Sequence, residues 1–179
     1  MAQQKDMTII FGCGNRILGD DGFGPEVVTQ LNANYNLPDD VEAVDAGTAV
    51  REYLFDYLLS EEGRPPRIIL VDAVNFNDRQ AGEVFPLSID DIPKQKIHDF
   101  SLHQFPTVNL LAELSEYTTI AVDMLVAQVD YIPDRIAPGL SPCIALAVPV
   151  ACRKVIEMVS TTSHDRLHQV GPVSRQRIL

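Results

Sequence analysis

The sequence predicts a single α/β domain built on a mainly parallel sheet with helices on both faces. Three observations carry that expectation. Met7–Phe11 (MTIIF) and Arg67–Val71 (RIILV) are short, β-branched and largely apolar, the composition of strands buried on both faces. Stretches with helical spacing alternate with these, the order of βαβ units joined by right-handed crossovers. The 179 residues suffice for one domain with a substantial core and not for two.

Taken in order, the run Met7–Phe11 opens the sheet, and Gly12, Gly14 and Gly19 mark the loop behind it. Pro25 suits the first position of a helix, and Val27, Val28 and Leu31 give that helix its apolar stripe. Val41–Asp45 reads as a second strand. Gly47–Thr48 begins the next helix, with Thr48 as its cap and Val50, Tyr53, Leu54, Tyr57 and Leu58 on one face. The Gly63–Pro66 segment ends it before the strand Arg67–Val71. A turn at Ala81–Gly82 precedes a short strand, Glu83–Leu87, and Ser88–Pro106 lacks periodicity and reads as loop. A helix around Val108–Ser115, a strand within Thr118–Val129 and a loop over Asp134–Ser141 follow. Pro142 opens the last helix, to about Val159, with Pro149 expected to kink or shorten it. Residues 1–159 thus form the domain. Residues 160–179 lose apolar periodicity and turn basic, the pattern of a mobile tail.

Hydrophobic residues at 46% and charged residues at 22% are ordinary for a globular protein, which excludes disorder of the whole chain. Net charge is −11, from 14 basic and 25 acidic residues. Such a surface repels nucleic acid and anionic membranes and favours a cation or a basic peptide. Cys13, Cys143 and Cys152 are too few for a disulfide framework, and an odd count leaves a free thiol, which points to the cytoplasm. No apolar run reaches the roughly 18 residues of a membrane helix. The first residues show no signal-peptide order.

Open parallel sheets build their sites at the C-terminal ends of strands. Asp20 and Asp21 lie in the loop after the first strand, Asp72 directly ends the strand Arg67–Val71, and His103 lies in the long loop beyond. Two carboxylates and one imidazole match the ligands of a divalent transition metal with positions left open. Each residue also has a plainer role. Asp20 and Asp21 serve equally well as acids near a helix start, Asp72 as a strand-end acceptor, and His103 as a structural or exposed loop residue. The Gly12-Cys13-Gly14-Asn15 loop resembles a dinucleotide fingerprint only superficially. Ile17 stands where the third glycine belongs, and two acids fall where a pyrophosphate would sit. The cysteines read as buried free thiols, and no G-x-S-x-G elbow is present. His164 and His168 have ligand spacing but fall in the tail.

At these residues the chain resembles the maturation proteases of [NiFe] hydrogenases. Four segments carry the likeness: Phe11–Gly24 (FGCGNRILGDDGFG), Val71–Ala73 (VDA), Ser101–Gln104 (SLHQ) and Pro138–Val150 (PGLSPCIALAVPV). The SLHQ context and long loop look most like the branch serving coenzyme F420-reducing hydrogenase. The resemblance implies a twisted sheet between helices and an endopeptidase, monomeric when free. Its substrate would be the large-subunit precursor of a [NiFe] hydrogenase, from which it removes a C-terminal extension after nickel is installed. It also implies that Asp21, Asp72 and His103 form both the catalytic and the metal site. The nickel would come with the substrate, and in isolation the site would stay empty or hold another divalent ion. Some members of that family have Glu where this chain has Asp21. Two competing functions are a non-proteolytic nickel-binding maturation factor that docks on the same precursor, and a nucleotide-binding enzyme of similar shape.

Overall fold

A computed structural model of the chain describes the backbone of residues 7–88 and 105–165, and the side chains of 7–88 and 110–160. The elements, in order, are β1 (Thr8–Cys13), a single 3-10 turn (Gly19–Gly22), α1 (Phe23–Asn34), β2 (Val41–Gly47), α2 (Val50–Leu59), β3 (Arg67–Val74), β4 (Val84–Leu87), α3 (Phe105–Tyr117), β5 (Ala121–Gln128) and α4 (Pro142–Asp165). The sheet order is β2-β1-β3-β5-β4. The first three pairings are parallel, and only β4, at one edge, runs antiparallel. The predicted fold class is the observed one.

All eight residues of β3 are buried, as its apolar run requires at the centre of a sheet covered twice. Strand alternation divides the core into two layers. Ile9, Phe11, Cys13, Ile68 and Leu70 face α2 and α3, where Leu54, Leu111 and Leu114 meet them. Ile10, Ile69, Val71 and Leu125 face α1 and α4, against Val27, Leu31, Ile144 and Val155. Each fully buried aliphatic side chain contributes about 1.5–3 kcal/mol relative to exposure. These two layers hold the strand tips rigid.

Several expectations need correction. Asp72 lies inside β3 rather than ending it, because β5 continues to pair as far as Val74. The ladder with β1, however, stops at Gly12–Val71, so on that side Asp72 is the first residue past the pairing. The acids at 20 and 21 sit in a 3-10 turn, not an open loop. α1 begins at Phe23, which makes Pro25 its third residue; the first turn tolerates this because its N–H groups have no helical acceptor. β2 runs through Gly47, α2 starts at Val50 after Ala49, and Thr48 is not its cap. Of the predicted α2 face, Val50 and Leu54 are buried and Tyr57 and Leu58 half-buried. Tyr53 is more exposed, although its ring lies 5.0 Å from that of Phe11. α3 is longer than predicted, taking Phe105 and Pro106 from the expected loop. The rest of that loop, 89–104, lies outside the described residues.

α4 runs through Pro149 to Asp165, so the proline does not shorten it. Pro149 and Ala145 are both on the exposed side, where water can satisfy the Ala145 carbonyl left without a helical donor. Residues 160–165 therefore belong to α4, and 166–179 lie outside the described residues.

Candidate active site

The C-terminal tips of β1 and β3 carry the candidate site, and two glycines decide its geometry. Gly14 follows β1 with φ of +123°, a backbone favouring glycine, and a Cβ there would lie 1.9 Å from the Asp21 carbonyl oxygen. Gly24, in the first turn of α1, leaves no more room. Its Cβ would meet the Val71 carbonyl oxygen at 2.3 Å and that of Cys13 at 2.4 Å. Backbone therefore packs on backbone. The turn carrying Asp21 is pressed against β1 and against Val71, the neighbour of Asp72.

Asp21 and Asp72 are both buried, at 2 and 8% exposure. Asp21 accepts the Asn15 N–H on Oδ2 at 2.8 Å, and Asp72 accepts the Ala73 N–H on Oδ1 at 2.8 Å. Alternation along β3 puts Asp72 on the side of Ile68 and Leu70, the same side as Cys13 on β1. Burial pushes the pKa of the Cys13 thiol well above the ordinary value, and the charges of Asp72, Asp45 and Asp21 push it further. A thiol so disfavoured as thiolate is no nucleophile, in line with its expected role as a buried free cysteine.

Asp45 went unnoticed in the sequence, although the signal that singled out Asp72 was there: an acid at the C-terminal end of a strand. Arg16 holds it, with Nε at 3.1 Å and Nη2 at 2.9 Å from Oδ2. The same guanidinium donates to the Pro25 carbonyl at 2.7 Å and to Thr29 Oγ1 at 2.6 Å, tying the glycine loop to α1.

Asp20 does something else. It is 1% exposed, and its carboxylate accepts four hydrogen bonds. These come from the N–H groups of Asp130 (3.0 Å), Tyr131 (3.1 Å) and Ser141 (2.7 Å) and from Ser141 Oγ (2.9 Å). It staples the β5–α4 loop to the glycine loop. Adjacent acids thus have separate tasks.

His103 and His98 lie outside the described residues, as does His168; the side chain of His164 does too. Among the described residues no three His, Cys, Asp or Glu side chains are grouped to hold a metal ion. Asp21 and Asp72 are both buried and both act on the Cys13 thiol, and the third predicted ligand is not among the residues described. Cys152 is buried, as expected, while Cys143 is half-buried with its Sγ 3.3 Å from Ser141 Oγ.

Residues 25–158 match the family model described as hydrogenase maturation protease. The chain belongs to the hydrogenase maturation protease family. It is therefore a hydrolase of the endopeptidase class. A Methanocaldococcus jannaschii protein named for the same family is 37% identical, over 88% of this chain and 96% of its own. The delta subunit of coenzyme F420 hydrogenase from Methanothermobacter thermautotrophicus is 31% identical, over 86% and 95%. Among solved structures, the hydrogenase maturating endopeptidase HybD of Escherichia coli superposes with a TM-score of 0.67 at 25% identity, covering 87% of this chain and 93% of that one. No helix among the described residues of this maturation protease is long and apolar enough to cross a membrane.

Proposed function

We propose that this maturation protease removes a C-terminal extension from the nickel-loaded large-subunit precursor of a [NiFe] hydrogenase of the F420-reducing class. In this reading Asp21, Asp72 and His103 read the nickel. The observation that carries the proposal is the seat built by Gly24: two nearly dry carboxylates from separate elements, brought together at the tips of β1 and β3. His103 precedes the first residue of α3 by two positions. α3 packs on the sheet face that carries Asp72. It is joined to the start of β5 by three residues, so it runs back against β5 and its first turn points toward the edge with the acids. The name of the Methanothermobacter relative supports the F420 assignment.

Two carboxylate oxygens and an imidazole nitrogen form a donor set suited to a divalent transition metal. The ion belongs to the substrate, and when bound it supplies a Lewis acid that polarises the scissile carbonyl. The chain's own residues orient that metal centre and exclude bulk water. A carboxylate takes a proton from the attacking water and returns it to the leaving amine. The three free thiols fit work in the cytoplasm, by a protein monomeric when free.

The test is cleavage of the nickel-loaded precursor, followed as its loss of mass, by wild type and by Asp21→Asn, Asp72→Asn and His103→Ala. Each variant should lose on the order of 10²–10⁴ in rate, and nickel-free precursor should stay intact. Undiminished cleavage by the three variants removes the site. Equal cutting of nickel-free precursor removes the nickel checkpoint.

A further inference from the structure

The loop that presents Asp21 also carries an apolar ledge that the proposed chemistry does not use. Leu18 and Ala137 form a parallel bridge, in which the Gly19 N–H donates to the Ala137 carbonyl at 2.9 Å and the Ala137 N–H to the Ile17 carbonyl at 2.9 Å. The bridge sets the backbones of Ile17 and Ile136, the residues just before the bridged pair, side by side. Both face solvent, at 46 and 71% exposure. Tyr131 belongs to the same unit and is 63% exposed. Its carbonyl oxygen lies 3.6 Å, and the Pro133 ring 2.8 Å, from where a Gly19 Cβ would stand.

This ledge is rigid, because Asp20 clamps the backbone of Asp130, Tyr131 and Ser141 beneath it. Three large apolar side chains held at the surface, on stapled loops one of which donates the Asp21 N–H to the Leu18 carbonyl at 3.2 Å, have the form of a binding anchor. We propose that Ile17, Tyr131 and Ile136 dock an apolar, basic segment of the precursor next to its scissile bond. The inference rests on the cleavage reading above. Charge selects the occupant as well as hydrophobicity: the chain carries −11, so an acidic segment is repelled and a basic one drawn in.

The test compares wild type with Tyr131→Ser, the double variant Ile17→Ser/Ile136→Ser, and Leu59→Ser as a control at the end of α2. All four positions are exposed, so the variants should fold. The expected result for the double variant is a KM for precursor raised about ten-fold or more with kcat unchanged, and no change for the control. Precursor binding to uncleaving Asp72→Asn protein, measured with and without the ledge substitutions, should weaken in parallel. Synthetic segments with apolar-basic sequence should compete, and apolar-acidic or polar-basic ones should not. Unchanged KM and unchanged binding in the double variant overturn the ledge while leaving the cleavage reading intact. Loss of cleavage by wild type with ledge-dependent binding retained overturns the cleavage reading instead. Equal competition by acidic segments overturns the charge assignment.

Discussion

Asp20 and Asp21 are chemically identical neighbours with opposite expected phenotypes. Replacing Asp20 by Ala deletes the acceptor for three backbone N–H groups and one hydroxyl, all within 3.1 Å of a carboxylate that is 1% exposed. A hydrogen bond to a charged group is worth about 1.5–3 kcal/mol net, and donors left buried without a partner add a desolvation cost. The four are not additive, since the 130–141 loop can retreat toward water, which brings the expected loss to about 3–5 kcal/mol. That is a large part of the roughly 5–15 kcal/mol available to a domain, and at about 2–4 °C per kcal/mol corresponds to roughly 6–20 °C in Tm. Asp21→Asn, by contrast, should abolish cleavage with a much smaller change in Tm. Urea and thermal unfolding followed by circular dichroism give the stabilities, and precursor cleavage well below both melting temperatures gives the activities. An Asp20→Ala protein within about 0.5 kcal/mol of wild type would refute the staple, and full cleavage by Asp21→Asn would show that the roles were reversed.

Two further outcomes follow from the same packing. Gly24→Ala places a methyl group against the Val71 and Cys13 carbonyl oxygens, so it should cost about 3 kcal/mol or more in urea unfolding and abolish cleavage by separating the Asp21 turn from β3; a stability within 0.5 kcal/mol of wild type refutes the contact. Cys152, whose burial pushes its pKa from 9.0 to about 11, stays protonated in the fold where the unfolded chain ionises, so its contribution is complete below pH 9 and is lost as pH rises from 9 to 11. Comparing urea unfolding of wild type and Cys152→Ala across that window should reveal a stability slope, at most about 1.4 kcal/mol per pH unit, that the variant lacks.

Much of this fold was legible because its central strand is buried on both faces. Arg67–Val71 announces itself by composition, and the parallel sheet follows from the alternation of elements. The end of that strand was not legible. A charged residue normally closes a strand, and β3 continues past Asp72 only because β5, a partner about fifty residues later, goes on pairing. Thr48 failed as a cap for a similar reason, since pairing with β1 holds Gly47 in the sheet. The site splits along the same line. Acids at strand tips were readable, and Asp45 should have been read with Asp72. Which member of the Asp20–Asp21 pair faces the sheet was beyond local reasoning, because the decision is made by Asp130 and Tyr131, 110 and 111 positions away.

On the proposed reading, the arrangement would also let the protease refuse an unfinished substrate. Asp21, Asp45 and Asp72 all bear on one buried thiol, so the three carboxylates lie within electrostatic reach of Cys13. Like charges in one neighbourhood repel one another. Arg16 offsets part of this at Asp45, on the half-exposed side of the cluster. Folding tolerates the remainder because the backbone contacts at Gly14 and Gly24 leave the turn nowhere else to go. On the proposed reading, a precursor that brings a divalent centre would relieve that repulsion on docking, and one without it would not. Since only free energy that differs between two substrates can discriminate them, electrostatic strain held by rigid glycine packing is what would make nickel, rather than the peptide around it, the licence to cut.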